Sequence, residues 1–421
     1  MMAKLVVAAF GSWGDVFPAF GLATALRDRG HSVRVAAPAY YAEFAEAEGL
    51  GFVAAGPPWT PGDANDVKIA DGRFGGLIGI RYILRKHVLP FLDADVDLLV
   101  GAAADADGVI AHPLMFAATI AADVLKLPCA SFSLFPDLVP SAYTQPKRFP
   151  VPANGPVGRM FNREGWFTVR RMFDVLAGKG VNRARTRVGL DPVRHPWFWP
   201  IDSGKPFLVL ASSATVARPA DWPSNVELTG AINWDHAATA RLPEELDQFL
   251  HDGPAPVLVT LGSSSALTPG RFFHDAAAAI ERAGHRALFL TGPALPELIP
   301  AAAAGRFVAE FAPLSTVATR CVAAIHHGGA GTAAAFLKAG IPHLVVPGMY
   351  DQPHTAHRLE SLGVAGVVPK RRVTTQRLER SLVQLLSDER YVNAAMKIAK
   401  QLAAEDGPTQ AAERIEKMLK R

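Results

Sequence analysis

The stretch KLVVAAFGSWGDVFPAFGLATALRDRGHSVRVAA, residues 4–37, decides the fold class. Residues 4–10 form an apolar run of strand length that stops in a Gly/Asp turn, so it reads as a first β-strand and not as a signal peptide. Residues 19–29 carry a helical pattern closed by Gly30, and residues 31–37 form a second apolar run. Strand, helix and strand in that order make a βαβ unit, which argues for a parallel sheet.

The same rhythm continues along the chain. Strand 108–111, helix 115–125 and strand 129–134 follow, and strand 205–212 comes after the aromatic, proline-rich patch HPWFWP at 195–200. It restarts in the second half with a strand at 256–260 running into GSSS, a helix at 272–282 and a strand at 287–290. A strand at 322–326, a glycine turn with its helix, and a strand at 342–346 complete the pattern. Two doubly wound halves are expected, joined through about 230–244 and closed by a basic helix near 394–421. The corresponding domains are 1–232, 233–400 and a terminal helix, 401–421, packing back on the first. Ligands of such sheets bind at the carboxyl ends of strands, so the cleft between the halves is the expected active site.

Composition narrows the class. A chain of 421 residues exceeds one compact core. With 49% hydrophobic and 19% charged residues it is not a disordered chain, and a net charge of +4 offers no nucleic-acid surface. Cys129 and Cys321 adjoin apolar runs and suggest no disulfide framework, which makes a reducing cytoplasm the expected compartment. No segment supplies the ~18 uninterrupted apolar residues that a membrane span needs.

In HHGGAGT, residues 326–332, the glycines allow backbone amides to approach a ligand, and Thr332 adds a hydroxyl at the first helical turn. Strand, glycine turn and helix N-terminus together form an anion site suited to a diphosphate. The Walker ending GK[ST] and the dinucleotide pattern are both absent. About 20 residues further on, Asp351 and Gln352 follow the next strand. A carboxylate beside an amide suits a polyol, and diphosphate beside polyol suggests a nucleotide sugar.

The run FAPLSTVATRCVAAIHHGGAGTAAAFLKAGIPHLVVPGMYDQ, 311–352, resembles the donor-binding signature of the glycosyltransferases that move UDP- or TDP-linked sugars onto small molecules. The N-terminal AFGSWGDVFPAFGLATALRDRGH is similar to the GSRGD-type start of the antibiotic and sterol glycosyltransferase branch, and of the rhamnosyltransferases that build glycolipids. The resemblance runs nearly end to end, the loops at about 57–85 and 139–187 excepted. It implies a GT-B fold: two Rossmann-like α/β domains facing across a cleft, with the donor in the C-terminal domain and the acceptor in the N-terminal one.

Carried over by residue, His327 would donate to the donor diphosphate, with Gly329, Gly331 and Thr332 beside it. Ser263 and Ser264 would also touch phosphate. Phe311 stands where plant members place a tryptophan against the base, and Leu314 where they place a glutamine, which leaves uracil or thymine open. Asp351 and Gln352 match the sugar-binding pair. Because side chains alternate along a strand, His326 and His327 point to opposite faces, and His326 is expected to pack.

Inverting displacement needs a base for the acceptor hydroxyl. Asp15 lies three residues before Pro18, the spacing at which plant relatives carry a catalytic histidine and GSRGD relatives an aspartate. As a bare residue it also reads as a helix cap. Trp13, where the branch has arginine, is either an apolar wall for the acceptor or a packed aromatic. His112 either pairs with Asp15 or bonds locally. The resemblance implies a nucleotide-sugar donor, a small apolar acceptor, no cofactor and no metal. Asp93 with Asp95 and Asp105 with Asp107 make D-x-D strings, but outside a sugar-site context. The basic, aromatic stretch 147–187 suits either a solvated helical face or peripheral contact with an anionic membrane.

Overall fold

The computed structural model describes residues 2–60, 77–144, 155–235, 241–348 and 351–420, apart from the side chains of Leu77, Asp137 and Ser264. The first sheet comprises β1 (Lys4–Ala8), β2 (Ser32–Ala37), β3 (Gly51–Ala54), β4 (Gly108–Ala111), β5 (Cys129–Ser133), β6 (Phe207–Val209) and β7 (Val226–Leu228). Its order is β3-β2-β1-β4-β5-β6-β7. The second comprises β8 (Val257–Thr260), β9 (Ala287–Leu290), β10 (Arg306–Ala309), β11 (Ala323–His326), β12 (His343–Val345) and β13 (Ala365–Val367), in the order β10-β9-β8-β11-β12-β13.

Every pairing between these strands is parallel. Parallel strands carry helices on both faces, so β1, β4, β8 and β11 are apolar almost throughout and buried. The order reverses between β1 and β4 in one sheet and between β8 and β11 in the other. At such a switch the loops leaving adjacent strands run to opposite faces and open a crevice at their carboxyl ends. The GSWGD and HHGGAGT turns leave β1 and β11.

The expected helix at 394–421 is two helices, Glu389–Leu402 and Gly407–Leu419. Gly407 and Pro408 break it; Asp406 caps the new start, its side chain accepting the Thr409 N–H at 3.1 Å. The last helix packs on Trp13–Asp28 of the first domain, tied by Glu416 to Arg29 at 2.7 Å. A glycine at 230 (φ +88°) makes this return feasible, because a methyl there would lie 2.9 Å from the Gly407 backbone.

Between the sheets the linker is locked from both sides. Trp234 packs on Phe17 and Phe20, ring centroids 5.1 Å away in each case. Gly21 leaves it room. The next residue, Asp235, accepts the Ser315 backbone N–H at 2.7 Å and its hydroxyl at 3.0 Å. Both cysteines are buried free thiols, and burial pushes them up to about 11 at Cys129 and about 12 at Cys321. No helix among the described residues is long and apolar enough to cross a membrane.

Candidate active site

Between the two switch points lies a cleft of about 800 Å³ lined by both domains. It collects Trp13, Asp15, His112, Ser263, Phe311, Leu314, His327, Gly329, Gly331, Thr332, Asp351 and Gln352. Ser264 lies in the one-turn helix Gly262–Ser265 after β8, with its side chain outside the described set.

On the N-terminal side, Ser12 is the N-cap of helix Trp13–Asp28, and Asp15 is its third residue. Oδ2 of Asp15 accepts the Ser12 N–H at 2.8 Å and the Ser12 hydroxyl at 2.9 Å. Among the described residues Oδ1 has no protein partner. Asp15 is therefore not the N-cap itself, but the third-position member of a capping box with Ser12. Desolvation raises its pKa above the ordinary 3.8, against the two Ser12 hydrogen bonds that lower it. Gly11 (φ +137°) is required here, since a methyl would lie 2.7 Å from Asp15 Cγ.

His112 stands at the end of β4, 7% exposed, with burial pushing it down to about 3. Its Nδ1 accepts the Leu114 N–H at 3.4 Å, so the neutral ring carries its proton on Nε2. No hydrogen bond joins it to Asp15 among the described residues. Trp13 stacks on Phe17 and meets Phe311 edge to face at 5.7 Å, which brings the two domains into aromatic contact across the cleft.

Opposite, His327 is buried and pushed down to about 4, chiefly by desolvation, with the Thr260 backbone offsetting part of this. Among the described residues Nδ1 lacks a partner in hydrogen-bond geometry. Two glycines clasp the ring. A methyl at Gly262 (φ +64°) would lie 2.7 Å from Cε1, and one at Gly329 would collide with Nε2. Gly329 is also the N-cap of helix Ala330–Ala339, whose first turn opens free N–H groups into the cleft beside this neutral imidazole.

His326 is wholly buried. Its Nδ1 accepts the Gly328 N–H at 3.1 Å, and Nε2 meets His343 Nδ1 at 3.0 Å. Strand alternation thus separates the two histidines as the sequence implies. Asp351 is the N-cap of helix Gln352–Ser361. Gln352, read as a sugar ligand, also works as a strut: Oε1 accepts the Gly348 N–H at 2.9 Å and Nε2 donates to Ser265 Oγ at 3.0 Å.

The apolar half of the cleft was not assigned by sequence reasoning. Trp166, Val169, Met172 and Phe173 come from helix Gly155–Phe173, and Trp197 and Phe198 from HPWFWP. Trp166 Nε1 donates to the Thr144 carbonyl at 3.1 Å, and Phe173 meets Trp197 with centroids 4.3 Å apart. Their density of aromatics was the available signal. The D-x-D carboxylates are engaged structurally: Asp105 with Arg34 and Lys4, Asp107 with the Lys4 N–H, Asp95 with the Gly56 N–H, Asp93 beside Arg183 and Arg187. No group of three metal-ligating side chains occurs among the described residues.

Residues 5–144 match the glycosyltransferase family 28 N-terminal domain, and residues 296–418 the erythromycin biosynthesis protein CIII-like C-terminal domain. The O-mycaminosyltylonolide 6-deoxyallosyltransferase of Streptomyces fradiae is 30% identical over 98% of this chain and 97% of its own length. The sterol 3-beta-glucosyltransferase UGT80A2 of Arabidopsis thaliana is 26% identical over 96% of this chain, which spans 64% of that relative. In fold, the chain superposes over its full length on the spinosyn forosaminyltransferase SpnP, with TM-score 0.73, 18% identity and all of that chain covered. The glycosyltransferase VinC in complex with DTDP follows at TM-score 0.68 and 20% identity, with 99% of this chain and all of that one covered. This chain belongs to the GT-B glycosyltransferases, and is an enzyme of their antibiotic and sterol type.

Proposed function

We propose that the enzyme moves a hexose or deoxyhexose from a UDP- or TDP-sugar onto a hydroxyl of a small, mostly apolar acceptor, with inversion and without a metal ion. The acceptor favoured in this reading is a natural-product aglycone, ahead of a glycolipid precursor. The observation that carries this reading is the cleft itself. A desolvated carboxylate at one switch point faces a neutral histidine and an open helix N-terminus at the other, with aromatic walls between.

Asp15 Oδ1 takes the proton of the acceptor hydroxyl as its oxygen bonds to the anomeric carbon. A raised pKa strengthens the base, and Ser12 holds the other oxygen. On the far side of that carbon the bond to the diphosphate oxygen breaks, and its electron pair departs with the nucleoside diphosphate through an oxocarbenium-like transition state. His327 and the first-turn amides of Ala330–Ala339 stabilise the growing phosphate charge with neutral donors and the helix dipole. Asp351 offers acceptors to sugar hydroxyls, while Gln352 holds the Gly348 turn beside them.

The test is a donor panel of UDP-glucose, TDP-glucose and TDP-rhamnose, scored by thermal shift and by nucleotide release with mixed phenolic and lipid acceptors. Asp15→Asn should keep nucleotide binding and lose about 10²–10⁴-fold in transfer. Near wild-type transfer by that variant would remove the base assignment. Turnover with no acceptor present would point to an epimerase or hydrolase, and binding without any turnover to a non-catalytic helper.

A further inference from the structure

Helix Gly155–Phe173 has a second face that the cleft does not use. While Trp166, Val169, Met172 and Phe173 turn inward, Val157, Met160, Phe161 and Phe167 recur at helical spacing on the outside, followed by Val175. These five are between 46% and 84% exposed. The bases of the region divide in two. Arg170, Arg185 and Arg187 pair with Asp202, Asp123 and Asp97, so the following helix, Lys179–Arg187, commits Arg185 and Arg187 to ion pairs within the domain. By contrast, no carboxylate among the described residues pairs with Arg159, Arg163 or Arg171. Arg171 lies over Phe167 at 5.4 Å, and Arg159 over Tyr143 at 5.6 Å. Three bases without a carboxylate partner therefore lie along the apolar helix, with one exposed carboxylate, Glu164, among them.

We infer that this outer face docks on the surface of an anionic lipid bilayer, with the apolar stripe dipping into the headgroup boundary and the arginines meeting lipid phosphates. Exposed apolar side chains flanked by unpaired bases on one long helix are the pattern that lies in a membrane interface. A second copy of the chain fits less well, because a two-fold contact between these helices would set the bases Arg163 and Arg171 against bases of the other copy. Residues 147–154 of the basic stretch lie outside the described residues. The opposite face of the docked helix walls the apolar chamber, so docking would bring that chamber up to the bilayer. The inference stands on this surface alone, whether or not the transfer reading holds.

Flotation of the full chain with phosphatidylcholine vesicles, with and without phosphatidylglycerol, tests it. Binding is expected only to the vesicles containing phosphatidylglycerol, and should weaken with added salt. Arg163→Ser with Arg171→Ser should lower partition about thirtyfold, each base near the surface being worth about fivefold. Met160→Ser with Phe161→Ser should weaken binding while its salt dependence persists; these exposed positions leave the thermal melt and nucleotide binding intact. The inference is overturned by any of three results: no flotation with phosphatidylglycerol at low salt, both double variants binding as wild type, or a wild-type dimer that the serine variants dissociate.

Discussion

The sharpest test of the donor site compares two adjacent histidines. His327→Ala removes a neutral donor clasped between Gly262 and Gly329 in the cleft. Loss of one preorganised donor to a developing oxyanion costs about 10²–10³ in kcat, or ~2.7–4 kcal/mol. Since the clasping residues are glycines, little packing depends on the ring, and the melting temperature should change little. His326→Ala should behave in the opposite way. It empties a fully buried site and strands both the Gly328 N–H and His343 Nδ1, a stability loss on the order of 3 kcal/mol. The folded fraction should nevertheless retain most of its turnover. The assay is nucleotide release at saturating donor, alongside thermal unfolding and calorimetric binding of UDP and TDP. Equal kcat losses, or a His327→Ala enzyme within about threefold of wild type, would refute the placement of diphosphate against His327.

Other outcomes follow from the same geometry. Asp15 must be ionised to act as base, so transfer should decline as pH falls through its raised pKa, with an inflection above 3.8 that disappears in Asp15→Asn; an inflection at or below that value would show that Asp15 is not desolvated. Gly329→Ala drives a methyl into His327 and should impair donor turnover at once. Gly331→Ala meets nothing within 4 Å and should hold or raise stability by up to ~1 kcal/mol, weakening donor binding only if phosphate lies against that backbone. Gln352→Ala should lower stability by about 1–3 kcal/mol and raise KM for donor, by releasing Gly348 and Ser265 together; an unchanged melt would remove the strut. His112, His326, His327 and His343 are all pushed down from 6.5 by burial, so between that value and about 4 the unfolded chain binds more protons. Stability should therefore fall as pH drops below 6.5, by up to about 1.4 kcal/mol per unit for each group. Urea midpoints that stay flat down that range would show that these rings are not buried neutral.

Much of the fold is legible in short windows. An apolar run that stops at a turn, then a helical pattern, marks β1, β4, β8 and β11 to within a residue or two, because strand burial and helical periodicity are local properties of the chain. Short or half-exposed strands such as β3, β7, β10 and β13 carry no such signal. The terminal helix was read through its break because basic, amphipathic residues continue on both sides of Gly407–Pro408. In the site, the separation of His326, packed inside, from His327, lining the cleft, was readable from strand alternation alone.

What the sequence by itself determined is the pair of glycine turns at strand ends, and with them a helix N-terminus open to an anion and a carboxylate at Asp15. Only the tertiary structure decided what stands around them. Trp13 meets Phe311, His327 is clasped by Gly262, Gln352 braces Ser265, and the aromatics of 166–173 meet HPWFWP as one wall. Each contact joins segments far apart in the chain, and no local periodicity encodes it. It arises because two parallel sheets reverse their order at the same end and a linker anchored by Trp234 and Asp235 sets those ends face to face.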